Sequence, residues 1–238
     1  YLTASRFARL NEEAIAASSL LLAREKVENI ESYVIRQDNA VFNDYPLDDP
    51  DSFEESWRPT SIDATPSVRS VMLLNEYGHV VGFASRAGAQ DRRDFLDVFH
   101  QDIVQEFEFD DTPLNSLKHL HGRFRDRSYL FSYKAVRHEG RRMFLVAHHD
   151  TGFIVRSQFP TLFSTEAGRS IYNVVDVDNR RVYGPSLASA GDYVVGHRFP
   201  TTLYQWRLQI APQQATQLET QGSLGRSVQL GSLGMSFA

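Results

Sequence analysis

The chain has 238 residues, a formal net charge of -5, 42 % hydrophobic and 23 % charged residues, and no cysteine. That composition is ordinary for a globular chain and leaves room for one large domain or two small ones. It excludes disulfides, zinc-thiolate sites and thiol catalysis. No basic patch of the kind that binds nucleic acid is visible. The most apolar stretch, Ala14 to Ala23, is too short to cross a bilayer, which takes about 20 mostly apolar residues, and it holds Ser18 and Ser19. No signal peptide is recognisable, and the chain begins at Tyr1 rather than Met. It therefore reads as a piece of a longer protein whose flanks would hold the membrane spans.

From about Ser5 to Arg36 there is no Gly or Pro, and the pattern predicts one helix. Phe7, Leu10, Ala14, Ala17 and Leu21 form one 3-4 stripe. Leu20, Ala23, Val27, Ile30 and Val34 form a second, one position over. A rod of this length suits a stalk whose first turns pair with a second copy, making a homodimer through the N-terminal helix. An acidic, Pro-interrupted segment comes next, from Asp44 to Pro66, expected to wrap over a sheet. Val68 to Asn75 and His79 to Ser85, joined by Glu76-Tyr77-Gly78, read as a hairpin. Asp91 to Phe109 reads as a helix, and a charged loop carries the chain to two strands, Tyr129 to His138 and Arg141 to Asp150, turned by Glu139-Gly140.

After Thr151 the pattern restarts. Gly152 to Phe163 is expected to be a short helix interrupted by Pro160. Ile171 to Val177 is a strand turned by Asp178-Asn179, and Arg181 to Tyr183 returns. Tyr193 to Phe199 and Leu203 to Ile210 form a second pair, ended by Pro212. The two halves share a detail: Val80 and Gly82 match Val182 and Gly184 in spacing after an acidic turn, which suggests an internal repeat. Residues 213–238 are polar and rich in Gly and Ser, and read as a tail. The fold class expected is α/β (α+β), with a long N-terminal helix and two tandem modules built on antiparallel sheets. The divisions are residues 1–36, 37–150, 151–212 and 213–238.

This organisation resembles the double Cache (tandem PAS-like) sensor domains of bacterial histidine kinases and chemoreceptors. The resemblance rests on Ser70-Val71-Met72-Leu73-Leu74-Asn75-Glu76-Tyr77-Gly78-His79-Val80-Val81, similar to the family's opening hairpin. It rests also on Leu203 to Pro212, similar to its closing strand with a central Trp206. It implies the extracytoplasmic, periplasmic part of an inner-membrane receptor, most simply a two-component sensor histidine kinase, with the membrane met only through flanking spans. It implies a small-molecule pocket in the membrane-distal module 37–150, with 151–212 membrane-proximal and 213–238 leading toward a second span. The kinase chemistry would lie outside this chain, which is expected to be no enzyme and to carry no cofactor. Members that bind amino acids carry an Arg-x-Trp-aromatic signature. Here Trp57-Arg58 runs in the reverse order, so amino-acid binding is not carried over. The alternatives are a chemoreceptor or cyclic-dinucleotide receptor sensor, a free solute-binding protein, and a metal-dependent hydrolase.

The histidines invite the last of these. His148-His149-Asp150, with His119 and His121 upstream, offers ligand types that suit zinc or nickel. Adjacent residues on a regular strand face opposite ways, however, so His148 and His149 cannot share a site, and His119 and His121 fall in the predicted loop. No metal site is expected. No G-x-S-x-G elbow or phosphate-binding loop occurs either, so no catalytic residue is assigned. Alternation favours a ligand pocket instead. Arg127, Tyr129, Phe131 and Tyr133 share one strand face, and Phe144, Val146 and His148 line the partner strand. Aromatic walls with a few polar groups are what a small-molecule pocket needs. The same residues would equally serve as an ordinary core.

Overall fold

In the computed structural model, which describes residues 2–164 and 170–213, Leu2–Asn43 form a single helix, α1. The side chains of 2–5, 7 and 8 lie outside the described residues, so the stripe that begins at Phe7 is followed from Leu10. The helix runs seven residues past the predicted end at Arg36, through Gln37 to Asn43, because nothing in that stretch breaks a helix. Four residues of the second stripe, Ala23, Val27, Ile30 and Val34, are fully buried, whereas its first residue Leu20 stands exposed with Leu10 and Leu21 of the first stripe, and Ala14 and Ala17 face solvent with them.

Two compact units are formed. The larger contains Ile30–Gln158 and Pro200–Gln205. Its frame is a five-stranded antiparallel sheet in the order β2-β1-β5-β4-β3. The strands are β1 (Val68–Leu74), β2 (Val80–Ser85), β3 (Leu117–Phe124), β4 (Arg127–His138) and β5 (Arg141–His149). β3 lies where the sequence pattern predicts a charged loop. Lys118, His119, His121 and Arg123 hide the apolar alternation, but the strand is paired along its whole length with β4, from Leu117 with Lys134 to Phe124 with Arg127. The turn between them, Arg125-Asp126, takes positive φ at both residues (46° and 64°), the geometry of a two-residue hairpin without its usual glycine. Glu139-Gly140 makes the β4-β5 turn in the same way, with φ 47° and 77°.

One face of this sheet carries Val71, Leu73, Ala84, Leu145 and Ala147. It is covered by Val41 and Phe42 of α1, by Tyr45, and by Phe53 and Trp57 of the short helix α2 (Phe53–Trp57). The acidic segment therefore does wrap over the sheet, continuing through a second short helix, α3 (Ser61–Ala64). Trp57 is pinned there by its Nε1–H, which donates to Thr65 Oγ1 at 3.0 Å. The other face carries Met72, Leu74, Phe131, Tyr133, Phe144 and Val146. It is covered by α4 (Ala89–Val98), by a π-helical turn over Phe99–Ile103 and by a last 3₁₀ turn over Val104–Glu106. The helix expected over Asp91 to Phe109 runs instead from Ala89 to Glu106, in three successive geometries, and Phe107 is already extended. Phe99 and Ile103, both fully buried, lie in the widened turn.

Among the described residues, the smaller unit takes in 2–29, 159–164, 170–199 and 206–213. Its sheet has the order β7-β6-β9-β8, from β6 (Ser170–Asp176), β7 (Arg181–Tyr183), β8 (Val195–Arg198) and β9 (Trp206–Pro212). Between the two sheets in sequence lie the short helices α5 (Thr151–Phe153) and α6 (Phe159–Phe163), joined by a π-helical turn over Ile154–Gln158. Pro160 does not interrupt this stretch. Helical geometry continues through it as the second residue of α6, directly after the π-helical turn over Ile154–Gln158, so the run is not one regular α-helix. Phe159 packs on Tyr183 and Trp206, and Phe163 stacks on Tyr172 at 5.1 Å. The tail beyond Gln213 lies outside the described residues.

The internal repeat is real but one residue out of the predicted alignment. Asn75 Oδ1 accepts from the backbone N–H groups of Tyr77 and His79, and Asn75 N–H donates to His79 O. Asp176 Oδ1 accepts in the same way from Asp178 and Arg180, and Asp176 N–H donates to Arg180 O. The strand pairing agrees, with a bulge in each: Leu74 faces Val80 as Val175 faces Arg181, and Leu73 faces Gly82 as Val174 faces Tyr183. Gly82 therefore corresponds to Tyr183, not to Gly184. The matching glycines mislead because an Asx side chain, Asn75 or Asp176, rather than glycine, organises both loops.

Candidate functional site

Beside α4, the second face of the large sheet opens into a cleft of about 680 Å³. Its aromatic wall is Phe95 of α4, Tyr129 of β4 and His148 of β5. Phe95 stacks on the His148 ring at 4.5 Å with the planes only 6° apart, and Tyr129 lies 5.6 Å away on the same imidazole. His148 is 7 % exposed, and its Nδ1 has no hydrogen-bond partner. Burial first, then the nearby positive charge of Arg69 and the neighbouring His149, push its pKa down to about 3, so the ring is neutral near pH 7. A buried polar atom without a partner costs free energy unless something fills the gap.

Charge surrounds this wall. Arg69 of β1 reaches both Asp91 of α4, at 3.4 Å, and Asp150, at 3.8 Å. Arg92 is tied back to Glu54 of α2 and to the carbonyl oxygens of Ser85 and Ala87. The bond to Arg92 holds the Glu54 carboxyl below the ordinary carboxylate range. Arg125, in the β3-β4 turn, pairs with Asp102 at 2.5 Å and donates to Gln101. Arg127 is exposed on the cleft wall and makes no ion pair among the described residues. The cleft thus offers one uncommitted cation and a flat aromatic surface, with an unpartnered imidazole nitrogen buried in its wall.

Of the seven pocket residues named from sequence, Arg127, Tyr129 and His148 line the cleft. Phe131, Tyr133, Phe144 and Val146 share their face but lie under the helical cover, within the aromatic core around Phe99 and Phe107. Arg69 and Phe95 are not among the residues the sequence pattern assigns to the pocket, and Asp150 enters there only beside His148 and His149 as a metal-ligand type. Arg69 and Phe95 come from two other segments, and only the Phe95 helical spacing gives a signal. His148 and His149 do face opposite ways. On the far face, His149 Nε2 lies 2.7 Å from Asp38 Oδ1 of α1 and 3.2 Å from Ser132 Oγ, and its Nδ1 meets Ser67 Oγ at 3.0 Å. His119 Nε2 approaches Asp38 Oδ2 at 3.4 Å. His119 and His121 are strand residues, contrary to the loop expectation, and alternation places both on this far face. His121 is held by Ser128, Tyr204 and Gln205, and burial takes its pKa down to about 3. Among the described residues no group of three or more His, Cys, Asp or Glu stands ready to hold a metal ion.

A long helix leading into two antiparallel sheets, each opened by the same bulged hairpin, defines a tandem PAS-like fold. Among solved structures, the chain is similar to a domain of a putative sensory box/GGDEF family protein from Vibrio parahaemolyticus, with a TM-score of 0.51 and 9 % identity over 87 % of this chain and 99 % of that one. It is also similar to the ligand-binding domain of the Pseudomonas fluorescens chemoreceptor CtaA, in complex with L-alanine (TM-score 0.47, 11 % identity, 83 % and 97 % covered). A third is an extracellular ligand binding receptor from Desulfohalobium retbaense (TM-score 0.47, 9 % identity, 81 % of this chain), of whose length the match spans 40 %. No family model matches the sequence, and no curated protein does.

Proposed function

We propose that this chain is the sensing region of a bacterial transmembrane signalling receptor, a sensor histidine kinase in the simplest case, and that it binds a small molecule in the cleft beside α4. One observation carries the reading: the cleft ends on a buried histidine whose Nδ1 lacks a partner. A ligand that presents negative charge to Arg127, and a hydrogen-bonding group that reaches Nδ1 when the His148 ring shifts, would satisfy both. Residues 37–150 form the ligand module in this reading and 151–212 the smaller module. The chain itself does no catalysis. Its place outside the cytoplasm is part of the proposal. Among the described residues, no helix is long and apolar enough to cross a membrane.

Thermal-shift and calorimetric titration against a fixed panel of amino acids, short dicarboxylates, nucleobases and monosaccharides tests it. A hit is expected to lose at least about tenfold in affinity in Arg127→Ala, the loss of one charge-assisted hydrogen bond. A hit whose affinity ignores both Arg127→Ala and His148→Ala would place the ligand elsewhere. The exposed row Leu10, Ala14, Ala17 and Leu21 fits the second part of the proposal, a homodimer through α1. In the full receptor in membranes, single cysteines along residues 10 to 21 should cross-link with a peak every three or four positions. Uniform absence of cross-linking would mean the helix is not an interface.

A further inference from the structure

β5 ends on three consecutive side chains that go three ways. His148 stacks on Phe95 in the cleft. His149, whose edge also borders the cleft, turns to the opposite face and bonds Asp38 of α1. Asp150 meets Arg69 and caps α5, accepting from Phe153 N–H at 2.9 Å, while its own N–H is held by Ser67 O at 2.7 Å. Ser67 in turn bonds His149 Nδ1. The end of this strand is therefore a short stretch bonded both to the cleft wall and to the long helix.

The attachment to α1 is buried. The side chains of Asp38 and His149 are fully inaccessible and that of His119 is 5 % exposed. Burial alone would raise the Asp38 carboxyl. The charge and hydrogen bonds of His149 and His119 outweigh it and hold the carboxyl below its ordinary value. A buried carboxylate with two imidazole partners has few alternative arrangements, so a shift of His149 must carry Asp38 with it or break the bond. Glu31, another buried carboxylate on the helix, is taken up instead by Thr201 and Thr202, outside the five strands.

We infer that Asp38, held by His149 and His119, is the latch through which the state of the cleft is passed to helix α1. This rests on the cleft being the sensing site, but its test needs no ligand. Asp38 bonds His149 and His119, not His148, so energetic coupling between Asp38 and His148 must run through the strand end. Backbone amide hydrogen exchange is measured on the full chain for wild type, His148→Ala, Asp38→Asn and the double variant, with the amides of β9 as an internal reference for global unfolding. In the wild-type background, His148→Ala is expected to speed exchange of amides 34–42 by about tenfold while β9 is unchanged. In the Asp38→Asn background the same change is expected to alter those amides by less than about twofold. Additive effects, or an α1 indifferent to His148→Ala, would overturn the latch and leave the ligand reading standing. A failed ligand screen with the coupling present would do the reverse. If His148→Ala does not fold, Phe95→Leu perturbs the same wall more gently. If Asp38→Asn does not, His149→Asn cuts the same bond, and the same two outcomes decide.

Discussion

The β1-β2 and β6-β7 hairpins start alike and end differently. Each is set by one Asx side chain that accepts from two backbone N–H groups, and each carries a bulge at the same place. Their onward connections differ. Residues 86 to 116 separate β2 from β3 and supply α4, the π-helical turn and the cleft. Only residues 184 to 194 separate β7 from β8, and they supply a 3₁₀ turn that packs Leu187 and Ala190 against Ala211. The large sheet has buried histidines on both faces, and the small one is closed mainly by aromatic rings. The turn chemistry builds the frame, and the length of the next connection decides whether that frame acquires a polar cleft.

The chain has two tryptophans, and they report this comparison separately: Trp57 lies on the large sheet and Trp206 in the small one. Trp57→Phe and Trp206→Phe give single-tryptophan proteins. The largest effect is expected from Phe131→Ala, which empties a fully buried site in the large core and should cost about 3–5 kcal/mol. Leu208→Ala, equally buried in the small sheet, should cost roughly 2–4 kcal/mol. Denaturant titrations should show each substitution moving mainly the transition of its own tryptophan. If both tryptophans always move together, the two units unfold as one.

Acid should divide the units next. His148 and His121 have folded pKa values pushed down to about 3, while the unfolded chain takes up those protons near the ordinary value of 6.5. Their contribution is therefore complete above about pH 6.5 and is lost progressively as pH falls toward 3, because the unfolded state binds more protons in that window. The loss should be on the order of a few kcal/mol. Asp38, whose carboxyl is depressed, adds a loss below its ordinary value of 3.8. The Trp57 midpoint should fall with acid more than the Trp206 midpoint, and His148→Phe should flatten the fall.

Smaller effects test the turns. Gly184→Ala should cost roughly 1–3 kcal/mol, because φ is 76° and an added Cβ would collide with Tyr172 O. Asn75→Ala and Asp176→Ala should each cost about 1 kcal/mol, through the hydrogen bonds lost. Equal losses in thermal or denaturant melts would support a common origin for the two loops in local chemistry. A large loss at only one would break the parallel.

Much of the frame is legible because it is written in local pattern. Glycine and acidic turns announce both opening hairpins, and Glu139-Gly140 announces β4 and β5. β3 is not legible, since an edge strand with Lys118, His119 and His121 shows no period-2 apolar signal, and its Arg125-Asp126 turn lacks glycine. The cleft is half legible. Alternation puts Arg127, Tyr129 and His148 on one face, but cannot tell them from Phe131 and Tyr133, which α4 and its adjoining turn cover. That distinction belongs to packing between distant segments, as does the meeting of Asp38 with His149, 111 residues apart.

The β4-β5 turn suggests a practical use. A Cβ added at Gly140 would meet nothing within 4 Å, and the chain has no cysteine to compete for a label. A fluorophore attached to a single cysteine in place of Glu139 would ride on the strand pair that carries Tyr129 and His148, at the end of β5 remote from the cleft. Such a label would leave the cleft-lining side chains untouched.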